Sequence, residues 1–297
     1  MHDPSNPLRW GIVGPGIIAG RFVEALAGTT RHEAVAVASR NRGRAEAFVA
    51  RHGLASAYGD TEMLLRDPAV EAVYVATPHP THAAISMAAL AAGKHVLCEK
   101  PLAMSTPEAQ AAFACAESHG RALLEGWMFR FHPLMARVVE LLPEIGDVRV
   151  IHARFGRAVP FDGAHRLFDR AQGGGALLDL GGYPVAFANI VAEASLDGIG
   201  RRPGEVRAVA QWLPGGVDGH VSALLNYGHV FTANIEVSLS ADIGAYAEVT
   251  GSAGKLHVPN PWAQTHRPGF GEVRVMNPDG QVRTERVAPD VDPYAAE

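Results

Sequence analysis

Cysteine is nearly missing: Cys98 and Cys115 are the only two in 297 residues. Two thiols make no disulfide framework and their spacing fits no metal-ligand pattern, so a reducing cytoplasm is the expected compartment. Lysine is scarce as well, with Lys94, Lys100 and Lys255 set against twenty-three arginines. A lysine kept in such a background is either chance or the mark of a place that needs a compact, tunable amine rather than a guanidinium fork. There is no basic block and the net charge is −5, which excludes the electrostatic footprint of a nucleic-acid binder. Met1-His2-Asp3-Pro4 has no basic and apolar leader pattern, and no apolar run reaches bilayer length without polar interruption, so neither export nor a membrane partner is expected. The fourteen histidines contain no His-Glu-x-x-His pattern, and His79 with His82 lacks an evident third ligand, so no metal is expected.

What is present has the grammar of two domains. Up to about residue 125, short apolar runs alternate with helical patterns, as a doubly wound parallel sheet requires. Strands are expected at Leu8 to Val13, Ala34 to Ser39, Val70 to Ala76, Val96 to Glu99 and Ala122 to Glu125. Helices are expected at Gly16 to Ala27, Arg42 to His52, His82 to Ala92 and Pro107 to Ser118. After Arg130 longer alternating segments take over. In Phe231 to Leu239 the apolar Phe231, Ala233, Ile235, Val237 and Leu239 oppose Thr232, Asn234, Glu236 and Ser238, the pattern of a half-covered strand in a mostly antiparallel sheet. One helix, Ala176 to Ala194, interrupts the strands. The expected fold is therefore α/β: an N-terminal Rossmann sheet over residues 1–128, then an α+β domain on an open, mostly antiparallel sheet over 129–297.

Four groups of residues bear chemistry. Gly14-Pro15-Gly16-Ile17-Ile18-Ala19 follows the first strand and opens the first helix, where glycines permit close backbone approach and a helix N-terminus offers N–H groups to a pyrophosphate. A purely structural turn gives the same pattern. At the end of the second strand, where an NAD site places a ribose-binding carboxylate, stand Ser39 and Arg40, with Arg44 a turn onward. A hydroxyl and two guanidinium groups suit the 2′-phosphate of NADP and make NAD the less favoured cofactor; two solvated surface charges are the bland alternative. Cys98-Glu99-Lys100-Pro101 closes a parallel strand, which delivers Lys100 to the crevice where ligands of open α/β sheets bind. Asp179 and Tyr183, four apart after Gly173-Gly174-Gly175, project from one helix face and suit an acid/base pair, or else a helix terminus and a core aromatic.

These motifs in this order, together with Thr77-Pro78-His79-Pro80-Thr81-His82, resemble the signatures of the Gfo/Idh/MocA oxidoreductases across almost the whole chain. Tyr183, with Glu125-Gly126-Trp127-Met128-Phe129-Arg130-Phe131-His132-Pro133, is more similar to the branch of dimeric dihydrodiol dehydrogenases and NADP-dependent D-xylose dehydrogenases. The resemblance implies that Lys100 and Tyr183 act together at the reacting hydroxyl or carbonyl and that Asp179 orients substrate. It implies further that Thr77, Pro78, His82 and Glu99 line the nicotinamide half, with Trp127 and Arg130 near the junction of cofactor and substrate. His82 as a core histidine bonding backbone, and the aromatics as packing, are equally open. The function so implied is hydride transfer between NADP and a sugar, polyol or cyclic diol, with no metal, in a homodimer or higher homo-oligomer paired through the C-terminal sheet. The rival is a non-catalytic NADP-binding regulator or scaffold of the same fold. The chain stops at Asp292 to Glu297, a segment that reads as the opening of a helix.

Overall fold

The structure is a computed structural model of the 297-residue chain and describes residues 6–196, 202–262 and 269–297. The Met1 to Pro4 segment read for a leader lies outside the described residues. The chain divides into two units, the first Met1–Met128 with Val291–Glu297, the second Phe129–Asp290.

The first unit holds strands β1 (Leu8–Val13), β2 (His32–Ala38), β3 (Ser56–Tyr58), β4 (Ala72–Val75), β5 (His95–Glu99) and β6 (Leu123–Gly126). They form one parallel sheet in the order β3-β2-β1-β4-β5-β6. The intervening helices are α1 (Ile17–Leu26), α2 (Arg42–His52), α3 (Thr61–Arg66), α4 (His82–Ala91) and α5 (Thr106–Ser118). β4 is buried along its length, because a parallel sheet is covered on both faces, and its residues Ala72, Val73, Tyr74 and Val75 are accordingly apolar. The chain-order reversal falls between β1 and β4, the switch point at which open sheets of this kind bind ligands. In register, Val13 pairs Val75, Val75 pairs Cys98 and Cys98 pairs Glu125. The residues that follow these four therefore emerge side by side at one carboxyl edge.

The second unit holds α6 (Pro133–Leu141), α7 (Gly182–Ser195) and strands β7 (Val148–Gly156), β8 (Glu205–Trp212), β9 (Asp218–Asn226), β10 (Thr232–Ser238), β11 (Gly244–Gly251), β12 (Lys255–Val258), β13 (Gly271–Met276) and β14 (Val282–Val287). They form one sheet, β14-β13-β12-β11-β7-β10-β9-β8, antiparallel except where β10 runs parallel to β7. On β10 the expected inward set, Phe231, Ala233, Ile235, Val237 and Leu239, is buried. Ser238 departs from the outward set: it is fully buried at the strand end, where its Oγ accepts from the Ala241 N–H at 2.9 Å and so closes the turn that follows.

The helix expected over Ala176 to Ala194 begins with a wider π turn, Leu177–Gly181, before α7 proper. The helical run Arg170–Ser195 has the length and apolarity of a membrane span, but 72% of its most apolar stretch is buried inside the protein, as a core helix requires. The expected boundary at the end of the chain needs correction. Residues 291–297, with a short helix α8 (Pro293–Ala296), belong to the first unit and not the second. The physical reason is Tyr294, which joins the apolar cluster of Ile12, Phe22, Val37, Tyr74 and Met128.

Candidate active site

The first turn along the carboxyl edge of the parallel sheet is the glycine turn. Gly14 has φ +97°, and a Cβ there would meet the Ala76 carbonyl oxygen at 2.7 Å, so only glycine allows the turn to press against the next strand end. Over Gly16 the nearest atom to an added Cβ is 4.0 Å away. Gly16 is also the N-cap of α1 and gives it no side-chain cap, while Ile17 stands 88% exposed. A ten-residue helix whose first N–H groups are uncapped and open to approach fits a dinucleotide pyrophosphate. Pro15 and Ile18 complete the turn, both half-buried.

After β2, Ser39 is half-buried and accepts the Asn41 N–H at 3.2 Å, whereas Arg40 and Arg44 are exposed. Asn41 caps α2 by accepting from the Arg44 N–H at 3.2 Å. Arg42 is taken up by Glu46 at 2.9 Å, while among the described residues no carboxylate pairs with Arg40 or Arg44. Among the described residues both guanidinium groups thus lack a carboxylate partner, as a 2′-phosphate site needs.

The loop that carries Lys100 is held by three side chains, Glu99, Glu125 and His82. Glu99 accepts the Tyr74 hydroxyl at 2.5 Å through one oxygen and the Lys100 N–H at 3.3 Å through the other. Burial raises the Glu99 carboxyl above its usual range, with the Tyr74 hydrogen bond and the Lys100 charge opposing. Glu125 accepts the Leu102 N–H at 2.8 Å. His82 is buried, with Nδ1 2.8 Å from the Pro101 carbonyl and Nε2 2.6 Å from the Thr77 carbonyl. Each ring nitrogen faces a backbone carbonyl, and a ring N–H donates to one or the other according to the tautomer, so the histidine is wedged between the loop after β4 and the loop after β5. That is the core-histidine alternative, and it holds Thr77 and Pro78 in place rather than reaching outward. Trp127 follows β6 at the same edge, half-buried.

Arg130, Asp179 and Tyr183 lie in the second unit. Arg130 pairs with Glu193 of α7 at 3.4 Å. Tyr183 is buried among Phe129, Phe155 and Trp262, with ring centroids 5.6, 5.4 and 6.1 Å away. Asp179 is 5% exposed and lies within the π turn, a deformation common at functional sites because it re-aims side chains. Its Oδ1 accepts from Arg166 Nη2 at 3.0 Å. Sequence reasoning missed Arg166: it stands thirteen positions before Asp179, across short 3₁₀ turns and the glycine run, and one arginine among many gives no periodic signal. Asp218 was missed too. It accepts the Leu177 N–H at 2.6 Å, and burial raises its carboxyl above the usual range.

A parallel doubly wound sheet with a glycine-led, uncapped helix at its switch point defines a dinucleotide-binding domain of the Rossmann class. The sequence matches the family described as an oxidoreductase family with NAD-binding Rossmann fold over residues 8–127, and the GFO/IDH/MocA C-terminal domain over residues 141–257. The chain belongs to the Gfo/Idh/MocA oxidoreductase family. Among its relatives is the trans-1,2-dihydrobenzene-1,2-diol dehydrogenase of Mus musculus, 39% identical over 91% of this chain and 80% of that one. The Homo sapiens enzyme of the same name is 38% identical over 89% and 78%. A 3-ketoreductase from Actinomadura kijaniata, KijD10, solved with NADP and TDP-benzene, superimposes with TM-score 0.82 at 31% identity, over 98% of this chain and 87% of that one. It has also been solved with a tyrosine changed to phenylalanine and with a lysine changed to alanine or glutamate. The aldose-aldose oxidoreductase of Caulobacter crescentus, solved with glycerol, shares the fold at TM-score 0.86 and 24% identity, covering 98% and 87%.

Proposed function

We propose that the protein is an NADP-dependent dehydrogenase acting on CH–OH groups of a small sugar, polyol or cyclic diol. The observation that carries this reading is the uncapped, open N-terminus of α1 beside a second strand end that carries two arginines and no carboxylate. Relatives named for a cyclic diol and a neighbour solved with NADP support it. When bound, the nicotinamide accepts or donates the hydride.

The chain's own residues bind, orient and move the proton. Gly14, Pro15, Gly16, Ile17 and Ile18 hold the pyrophosphate by backbone approach, and Ser39, Arg40 and Arg44 hold the 2′-phosphate. Thr77, Pro78, Glu99, Trp127 and Arg130, with His82 bracing the first two, serve the nicotinamide end. Asp179 accepts a hydroxyl of the substrate and fixes its orientation. Tyr183 takes the proton of the reacting hydroxyl, and Lys100 makes it competent to do so. We place the enzyme in the cytoplasm, as a homodimer joined through the sheet of the second unit.

Mixing the purified protein with NADP⁺ and a panel of aldoses, polyols and trans-dihydrodiols, and following reduced-cofactor absorbance, tests the reading. Turnover of at least one member is expected, with NADP⁺ favoured over NAD⁺. Tight NADP⁺ binding with no turnover on the whole panel overturns it in favour of a regulator.

A further inference from the structure

Arg166 is seated with unusual care for a loop residue. It opens a single 3₁₀ turn, Arg166–Phe168, whose entry is capped by His165 Nδ1 accepting the Leu167 N–H at 3.2 Å. The Leu167 carbonyl accepts the Gly175 N–H at 2.9 Å. A Cβ on Gly174 would lie 2.6 Å from the Leu167 carbonyl oxygen and 2.7 Å from that of Arg166. The backbone of the arginine turn is therefore pressed onto the glycine run with no space for a side chain between them. From Gly175 one helical turn leads to Asp179, whose N–H bonds the Gly175 carbonyl at 3.3 Å. The arginine and the aspartate are thus joined by a short, hydrogen-bonded stretch of backbone as well as by their side chains.

The pair is lopsided: the Asp179 side chain is 6% exposed and the Arg166 side chain 45%. A carboxylate that deep keeps its charge at a cost unless a cation and hydrogen bonds offset it. The contact runs from one guanidinium nitrogen to one carboxylate oxygen, so it restrains where that oxygen of Asp179 points.

We propose that Arg166 is a positioning residue for the dehydrogenase reaction: it turns the Asp179 carboxylate and thereby selects which substrate hydroxyl is held for oxidation. This rests on the substrate-orienting role given above to Asp179. A group held about 1 Å out of place costs on the order of a hundredfold in rate, so the effect appears in kcat/KM and not in cofactor binding.

The test uses Arg166→Ala, Asp179→Asn and the double variant, with turnover on the best substrate of the panel and NADP⁺ affinity read in parallel. Arg166→Ala is expected to lose about 10- to 100-fold in kcat/KM, with NADP⁺ affinity held within about twofold. Methylguanidinium added to Arg166→Ala is expected to restore part of the lost turnover, which no purely structural role predicts. In the Asp179→Asn background Arg166→Ala is expected to cost less than about threefold more, because residues that act as one unit are not additive. If Asp179→Asn is crippled while Arg166→Ala works normally, the positioning role is wrong and the wider reading stands. Normal turnover in Asp179→Asn overturns both. Should Arg166→Ala fail to fold, Arg166→Met decides: it keeps the apolar stem but neither the charge nor the donor, so unchanged turnover with unchanged melting temperature also overturns the proposal.

Discussion

At the scale of single residues, the cofactor and proton assignments make separate demands. Arg40 is exposed, so its removal leaves the fold unaffected and takes away a charge-assisted contact to the 2′-phosphate. Arg40→Ala is expected to weaken NADP⁺ by about 1.5 to 3 kcal/mol, roughly ten- to a hundredfold, and to leave NAD⁺ nearly unchanged. Titration of both cofactors by fluorescence checks this, and equal losses would reject the assignment. For the proton, a phenol is a poor base near neutral pH, since its unperturbed pKa is about 10, and a cationic lysine acting with it favours the phenolate. Tyr183→Phe and Lys100→Met are each expected to lower kcat by about 10² to 10⁴, with the double variant little worse than the poorer single one. Near-normal turnover of Tyr183→Phe moves the proton to Lys100 or water; near-normal turnover of Lys100→Met removes the mechanism.

At the scale of elements, α6 offers a test of how a helix start is built. His132 is its N-cap, buried, with Nδ1 accepting the Leu134 N–H at 3.0 Å and Nε2 donating to the Gly269 carbonyl at 3.2 Å. Burial lowers its pKa, the Gly269 contact opposing. A proton on Nδ1 would destroy the cap, so the folded protein resists a proton that the unfolded chain accepts. The stability is therefore present above about pH 6.5 and lost as pH falls below it, at no more than about 1.4 kcal/mol per pH unit for one proton. His132→Asn keeps a capping side chain and removes the proton site, so its denaturation free energy is expected to fall less between pH 7 and 5.5 than that of the wild type. His257, also lowered by burial, contributes equally to both proteins, and parallel curves would deny His132 any part. None of this was legible beforehand, because α6 begins inside an aromatic run that reads as extended. β3 and β12, three and four residues long, are too short to show alternation, and β14 is mostly exposed, so no inward apolar face marks it. By contrast α2 was legible to the residue, since Asn41 caps it and Gly53 ends it in the left-handed region. The loops bearing Lys100 and the glycine turn were legible because parallel strands buried on both faces leave continuous apolar runs, and a site at their ends needs no further geometry. The Arg166–Asp179 pair was not, since long-range ion pairs leave no local pattern.

At the scale of the molecule, apolar demand explains the chain's return: Tyr294 finds its burial among residues of the first unit, a preference that its own flanking sequence does not announce. The same reasoning turns to the uncovered face of the second unit's sheet. Across it runs a ladder of Val209, Ser222, Glu236, Arg154 and Tyr246, in register over five strands, with Arg154 set 5.0 Å over the Tyr246 ring. Val209 is 74% exposed and Leu224, one row away, 39%. A broad sheet face that sets Glu236 beside Arg154 and leaves apolar side chains in water suits pairing with a second copy about a twofold axis, where one surface patch meets the same patch of its copy. A stable pair needs about 1,000 Å² or more buried in total, which an eight-stranded sheet supplies. The wild-type chain is expected to sediment as a dimer at micromolar concentration. Val209→Glu with Leu224→Glu places two added carboxylates on the β8–β9 side of that face; at about 1 to 3 kcal/mol for each buried group left unsatisfied, dimer affinity should fall at least about tenfold. Both side chains lie on the open face and outside the cofactor and proton machinery, so the monomeric variant should keep its melting transition and its NADP⁺ affinity. A wild-type chain that sediments as a monomer, or a double variant that pairs as tightly as the parent, removes the sheet face as the interface.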